Sequence, residues 1–588
     1  MSSLTKRHRN RTHQHSLSLE SLESREMLTV VTEVVADIRP GSTGSSITEV
    51  TEFNGELYFS ADNGSGSELW KSDGTRDGTQ LVREISDGTA GSRPSWFAEY
   101  NDELFFAAVT DGDGSELWKS DGTAAGTSLV RDINPGADSS FPSGLVQFND
   151  ELYFAAQDGP DDYELWKSDG TSSGTQLVAD IREGRSSSPG NASGLVEFGG
   201  FLYFNARDNT NGVELWRSDG TVEGTTLVLD ADPGGGSSWP TGFFEFQDDL
   251  YFIAERFNAS EGGFEPLLFR ADNDAGTASL VSDVPVDLLQ DPFVSGDFIY
   301  FAGMSDAAGY ELYRTDGTSE GTVFLRDINT GPNSSNAQNF VEFDDKVYFV
   351  ATEERDVEGT PIYGLWSTDG TAFGTRKVTT LQVYGETTFV TYQDELYFSG
   401  RSDEFGWELF KTDGTVDGTV VVEDIAPGVE DSQALPKRTF DGRLLFLAET
   451  ERDGWEIWSY DGNAVAMHET HQGAGDFTDD PDAFTFVEFG DDLVYVGSNP
   501  FDGPELNIIR STGAPPETPQ LAGDADGNGR VEFADFLIVS TNFGKQDASR
   551  EDGDFDGNGR VDFADFLALS DNFGSSLAAR NVDRFFAF

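Results

Sequence analysis

Glu68-Leu69-Trp70-Lys71-Ser72-Asp73-Gly74-Thr75 returns as ELWKSDGT from residues 116 and 164, and as ELWRSDGT from 214. Weaker copies begin at 311 (ELYRTDGT), 365 (LWSTDGT), 408 (ELFKTDGT) and 456 (EIWSYDG), with degenerate ones at 267 (LLFRADNDAGT) and 505 (ELNIIRSTG). The motif tryptophan, or its replacement, stands at 70, 118, 166, 216, 269, 313, 366, 410, 458 and 507. Intervals of 44 to 53 residues make this ten copies of one unit. A period of that length marks a supersecondary element that buries its apolar face by stacking on neighbours.

Each unit reads as four short strands. In the second they are PSWFAEYN (94–101), ELFFAAV (103–109), SELWKSD (115–121) and TSLVRDI (127–133). DGT-x-x-GT separates the third from the fourth, Asp-Gly supplying the positive-φ turn of a hairpin. The second strand is apolar at consecutive positions (Leu57, Tyr58, Phe59), as expected of a strand covered on both faces, whereas the alternating fourth belongs nearer solvent. The expected fold class is therefore mainly β, a β-propeller-like array of about ten four-stranded repeats spanning 30–512. The ends suit closure. The tenth unit supplies FTFVEFG, DLVYVG and ELNIIRS and stops, while Thr32–Ile38 (TEVVADI) matches the missing fourth strand. One ring, two smaller rings and an open solenoid all remain compatible with the repeat.

The chain has 588 residues, 38 Lys and Arg against 106 Asp and Glu, and a formal charge of −68. Such a field repels nucleic acid and anionic lipid and attracts cations. There is no cysteine, so disulfide and thiolate chemistry are excluded. No apolar run approaches the roughly 20 residues that span a bilayer. Residues 1–29 break the acidic trend with Lys6, Arg7, Arg9 and Arg11 and read as an export or targeting segment.

Composition shifts at the proline-rich linker 513–520, after which two copies lie thirty residues apart: GDADGNGRVEFADFLIVSTNFG from 523 and GDFDGNGRVDFADFLALSDNFG from 553. Both fit a twelve-residue calcium loop, which offers hard oxygen ligands at positions 1, 3, 5, 7, 9 and 12. The first set is Asp524, Asp526, Asn528, the carbonyl of Arg530, Glu532 and Asp535; the second is Asp554, Asp556, Asn558, the carbonyl of Arg560, Asp562 and Asp565. Gly529 and Gly559 occupy the sharp turn at position 6, and Val531 and Val561 at position 8 should pack between the paired loops. Two Ca2+ sites are expected. Phe536, Leu537 and Phe543, and Phe566, Leu567 and Phe573, fall at helical spacing, one exiting helix per loop.

These residues carry three resemblances. The units at 30–512 resemble the ELWxxDGT repeat family of large secreted bacterial proteins, which implies an extracellular β-rich array without a shared catalytic activity. Loop followed by helix, duplicated over 521–574 with Asp at position 12, resembles a type I dockerin of planctomycete type. It implies a small α-helical, EF-hand-like domain that folds on calcium and docks on a cohesin-like protein or a cell-envelope component. Phe533-Ala534 and Phe563-Ala564 replace the small hydroxyl residues usual for cohesin contact. Leu22-Glu23-Ser24-Arg25-Glu26-Met27-Leu28 resembles the LEPR-x-LL motif of planctomycete secreted and surface proteins, with Ser24 in place of Pro. Residues 575–588 form a C-terminal tail.

Chemistry inside the repeat is sought where units depart from consensus. Trp96, Trp239, Trp407 and Trp455 lie outside the motif position and could stack on sugars, although core packing competes. His468 and His471 in MHETH are one residue short of the H-E-x-x-H metal spacing. No nucleophile elbow, Walker loop or dinucleotide fingerprint is present, and no catalytic residues are assigned. The sequence reads as a non-catalytic secreted or cell-surface binding or structural protein, with polysaccharide as a candidate ligand. The alternative is a secreted polysaccharide-active enzyme, a glycosidase or lyase, which would need carboxylates from non-consensus positions meeting in one pocket.

Overall fold

Each unit forms one antiparallel sheet in the computed structural model. It describes residues 31–511, apart from 42, 160–162, 184, 186, 188–193, 261, 273–274, 356–358, 453, 469–483 and 500–502, and then 533–543, 545, 555, 560–561 and 566. Blade 1 consists of Thr48–Phe53, Glu56–Asp62, Ser67–Ser72 and Gln80–Arg83, hydrogen-bonded in that order. The other nine follow the same plan, and blade 8 alone splits its first strand into Gln382–Val383 and Val390–Tyr392. The motif position pairs with the middle aromatic of the second strand: Phe59 with Trp70, Phe106 with Trp118, and, in the degenerate tenth, Tyr495 with Asn507. The second strands are buried along five consecutive residues, as their unbroken apolar runs require.

Two turns fix each blade. The first and second strands meet in two-residue turns with both residues left-handed, such as Asn54-Gly55, Asn101-Asp102 and Asn149-Asp150. This is the type I′ hairpin, which Asn, Asp and Gly tolerate best. The turn after the third strand explains S-D-G-T-x-x-G-T. In blade 2 the Asp121 carboxylate accepts from Thr123 N (2.9 Å) and Thr123 Oγ1 (2.7 Å). Gly126 N donates to Thr123 Oγ1 (3.1 Å), and Ser120 Oγ meets Thr127 Oγ1 at 2.7 Å. The Thr123 hydroxyl holds Asp121 below the usual carboxylate range. Gly126 is glycine for space, because a Cβ there would lie 2.0 Å from Asp121 Oδ1. Gly126→Ala is thus expected to cost about 2–3 kcal/mol in denaturant unfolding, while Ala124→Ser in the same exposed turn is close to neutral.

The remaining motif letters join blades. Tyr58 of blade 1 reaches under Gly122 of blade 2, where a Cβ would sit 2.3 Å from its hydroxyl; Tyr153 meets Gly220 likewise. Arg83 donates to Thr127 O of the next blade and lies over Trp118, 6.0 Å from the ring centroid. Arg131 repeats this on Thr175 and Trp166. Such cation–π contacts are worth about 0.5–2 kcal/mol each. Ten apolar clusters fill the ten seams, including one between blade 10 (Val494, Leu506, Ile508) and blade 1 (Leu57, Phe59). First strands of neighbouring blades approach one another, 48–53 with 95–100 and 487–489 with 48–53, and so line the axis.

Val31–Ala36 pairs antiparallel with Gly503–Arg510 and becomes the outer strand of blade 10. The chain is one closed ten-bladed propeller, in which the sheet edges left are the short inner and outer strands of each blade. Beyond it, the helix Phe533–Asn542 follows the first predicted calcium loop. Among the described residues no helix is long and apolar enough to cross a membrane.

Candidate binding face of the ring

The motif glutamate is buried in every blade that keeps it, blades 5 and 7 having Leu267 and Gly364 instead, and its carboxylate ties one blade to the next. Glu116 accepts from Ile133 N (2.8 Å), Ser140 N (2.9 Å) and Ser140 Oγ (2.6 Å). Glu68 does the same with Ile85 and Ser92, and Glu214 with Ala231 and Ser238. At the closure Glu505 accepts from Ile38 N (3.2 Å) and Ser45 Oγ (2.7 Å), so the staple is kept where the chain ends meet. Burial pushes Glu116, Glu164, Glu214, Glu311, Glu408 and Glu505 up to about 7, and a neighbouring aspartate adds to the rise. The partner serines, 23 or 24 residues downstream at the entry to the next blade, were the readable sign of this role. The motif's recurrent polar chemistry is thereby absorbed into the scaffold.

Variation collects at a different place. Immediately after Ser45, Ser92, Ser140, Ser238, Ser335 and Ser432 the chain turns left-handed, and after all but the last it does so again three residues on, producing a bulge in the first strand. The first such position holds Ser46, Arg93, Phe141, Trp239, Asn336 and Gln433; the second holds Glu49, Trp96, Gly144, Gly242 and Asn339. Arg93 N donates to Ser67 O, Phe141 N to Ser115 O and Trp239 N to Val213 O, so these residues lie beside the hairpins joining second and third strands. The DGT turns occupy the opposite end of the third strand.

On this face Trp96 is 51% exposed, Phe141 50% and Trp239 46%. A bulky side chain at positive φ is uncommon and costs on the order of 1–3 kcal/mol. Blade 5 extends the same face with a long hairpin, Asp249–Asn258 and Gly263–Asp272, whose exposed Phe257 and Phe264 pair edge to face at 5.4 Å. Of the four tryptophans singled out in the sequence, Trp96 and Trp239 therefore present free faces. Trp455 is buried in the seam of blades 9 and 10, and Trp407 is half-buried with its ring against Tyr384. Phe141 was missed because only its backbone environment, not its residue type, marks it.

His468 ends the outer strand Val465–His468, buried, with Nε2 2.8 Å from Ser459 Oγ; His471 lies outside the described residues. Of the residues expected from the sequence to ligate calcium, Asp535 stands in the helix Phe533–Asn542, and Arg560 precedes buried Val561. Val561 packs with Val539 and Phe536, its N–H donating to Lys545 O (3.2 Å), and Phe536 meets Phe566 edge to face at 6.1 Å. Asp524, Asp526, Asn528, Arg530, Glu532, Asp554, Asp556, Asn558, Asp562 and Asp565 lie outside the described residues.

No family model matches the chain, and no curated protein matches it. Among solved structures it is similar to an ancestral GH74 enzyme at 10% identity, covering 80% of this chain and 79% of that one, with a TM-score of 0.31. It is similar to a puromycin hydrolase at 13% identity and TM-score 0.28, covering 70% of this chain and 60% of that one. A Mycobacterium tuberculosis puromycin-hydrolyzing peptidase gives 9% identity and TM-score 0.28, with 71% and 60% covered. The chain spans about three-fifths of the length of the hydrolase it matches. Likeness this weak carries no argument about function.

Proposed function

We propose that the protein is a non-catalytic, secreted or surface-displayed binding protein that holds a polysaccharide on the hairpin face of its ring. The observation carrying this reading is the set of half-exposed aromatics Trp96, Phe141 and Trp239 at bulges whose counterparts elsewhere hold Ser, Arg, Glu, Asn, Gln or Gly. Aromatic faces stack on sugar rings, and bulges fixed by a rigid blade hold them at little entropic cost on binding. The charge of −68 favours neutral glycans over polyanions.

The full chain, passed over an array of neutral and anionic glycans, is expected to retain neutral ones and to release no reducing ends. Trp96→Ala and Trp239→Ala should each weaken that binding by roughly tenfold. Turnover of a retained glycan would replace this reading with the enzymatic one, and retention untouched by both substitutions would remove the aromatic face from it.

The dockerin-like tail supplies attachment in this proposal. Asp524, Asp526, Asn528, Arg530, Glu532 and Asp535, with the second set Asp554 to Asp565, would hold two Ca2+ ions, and a cohesin-like or cell-envelope component would be the partner. Calcium supplies the charge neutralisation that lets the acidic loops close. Asp524→Ala and Asp554→Ala are each expected to abolish one of two calcium-binding events in calorimetric titration, with chelator reducing helical circular dichroism. Two unchanged binding events in both variants would reject the ligand set.

A further inference from the structure

We infer that the seam between blades 10 and 1 is a binding pocket for a small amine carrying an apolar body. The two blades enclose a cleft of about 440 Å³, within the usual range of small-molecule sites. One departure from the repeat opens it. Val50 stands where Phe97, Phe243 and Phe340 pack on the middle aromatic of their own blades, at centroid distances of 5.7, 5.8 and 5.6 Å. The walls are apolar, formed by half-buried Val50, Val487 and Val496 over the packed side chains of the seam.

The mouth is polar: Thr48, Thr485 and Glu49. Glu49 occupies the second left-handed bulge position, φ 58°, where blades 3 and 5 place Gly144 and Gly242. A glutamate kept where glycine would be unstrained points to a role for its carboxylate. Among the described residues no cation or hydrogen-bond donor engages that carboxylate. It stands exposed at the mouth with its charge uncompensated, in a strongly negative field that draws cations. An ammonium at Glu49 with a ring or alkyl body against Val50 and Val487 satisfies both halves of the site. It also bridges the first and last blades, so binding must stabilise the closed ring.

The test is titration of the full chain with benzylamine, benzyl alcohol and benzoate, read by calorimetry and by thermal unfolding. Benzylamine is expected to bind and raise Tm, the alcohol to bind at least about tenfold more weakly, and benzoate not at all. Val50→Phe, which refills the cleft, should abolish benzylamine binding without lowering Tm. Glu49→Gln should keep the fold and bring amine and alcohol to equal affinity. Absence of benzylamine binding overturns the proposal, and so does binding that persists in Val50→Phe, since the amine would then sit elsewhere on the acidic surface. Glycan retention at Trp96 and Trp239 is a separate measurement and does not depend on this outcome.

Discussion

Val35→Asp is expected to open the ring, lowering stability by about 3 kcal/mol or more and raising the radius of gyration in X-ray scattering. Val35 lies in the strand Val31–Ala36 and is buried with Ile47, Leu57, Phe59 and Ile508 in the seam that joins the chain ends. A carboxylate there would be desolvated among apolar side chains, which costs several kcal/mol or forces the strand out. Losing the strand would also strip blade 10 of its outer edge and free the Glu505 staple from Ile38 and Ser45. Val34 provides the control, being exposed on the other side of the same strand. Val34→Asp should change stability by less than about 0.5 kcal/mol. If both variants unfold like the parent, the N-terminal strand is not the closure.

The second large effect is that of pH. Glu116, Glu164, Glu214, Glu311, Glu408 and Glu505 are each pushed up to about 7 by burial, against the pull of their serine and backbone donors. The charged groups facing them are Asp132, Asp180, Asp230, Asp327, Asp424 and Asp37, whose repulsion acts in the same direction. A carboxyl whose pKa is higher folded than unfolded binds more protons in the folded state between those two values. Stability must then fall as pH rises from the ordinary glutamate range to about 7, and level off above it. Tm at pH 8 should lie about 5 °C or more below Tm at pH 5. Surface repulsion from the acidic excess has the same sign but is screened by salt, whereas a buried carboxylate is not. The fall should therefore survive in 0.5 M salt, on the order of three times physiological strength; its disappearance there would assign it to the surface alone.

Much of the architecture was written locally. A repeat of about 48 residues carrying Asp-Gly turns and two kinds of apolar strand specifies a four-stranded blade, because each feature acts through neighbours in the chain or in the adjacent hairpin. The TEVVADI segment at Thr32–Ile38 could be matched to a missing fourth strand for the same reason. Trp455 and Trp96 show where that legibility ends. Both are tryptophans outside the motif, yet one is sealed in a seam by Leu435, Ile457 and Phe484 while the other stands on a bulge in solvent. Their difference comes from backbone handedness and from partners a whole blade away, neither of which residue type reveals.

The sequence by itself determined the blade, its turns, the number of units and the strand that could complete the last one, since hydrogen-bonding pattern and side-chain alternation are short-range properties. Only the tertiary structure decided that ten blades make one ring, that Val50 leaves a cleft at its seam, and which aromatics face outward. Those outcomes depend on how side chains from distant units fill the space between sheets, and packing of that kind is settled only when every seam closes at once.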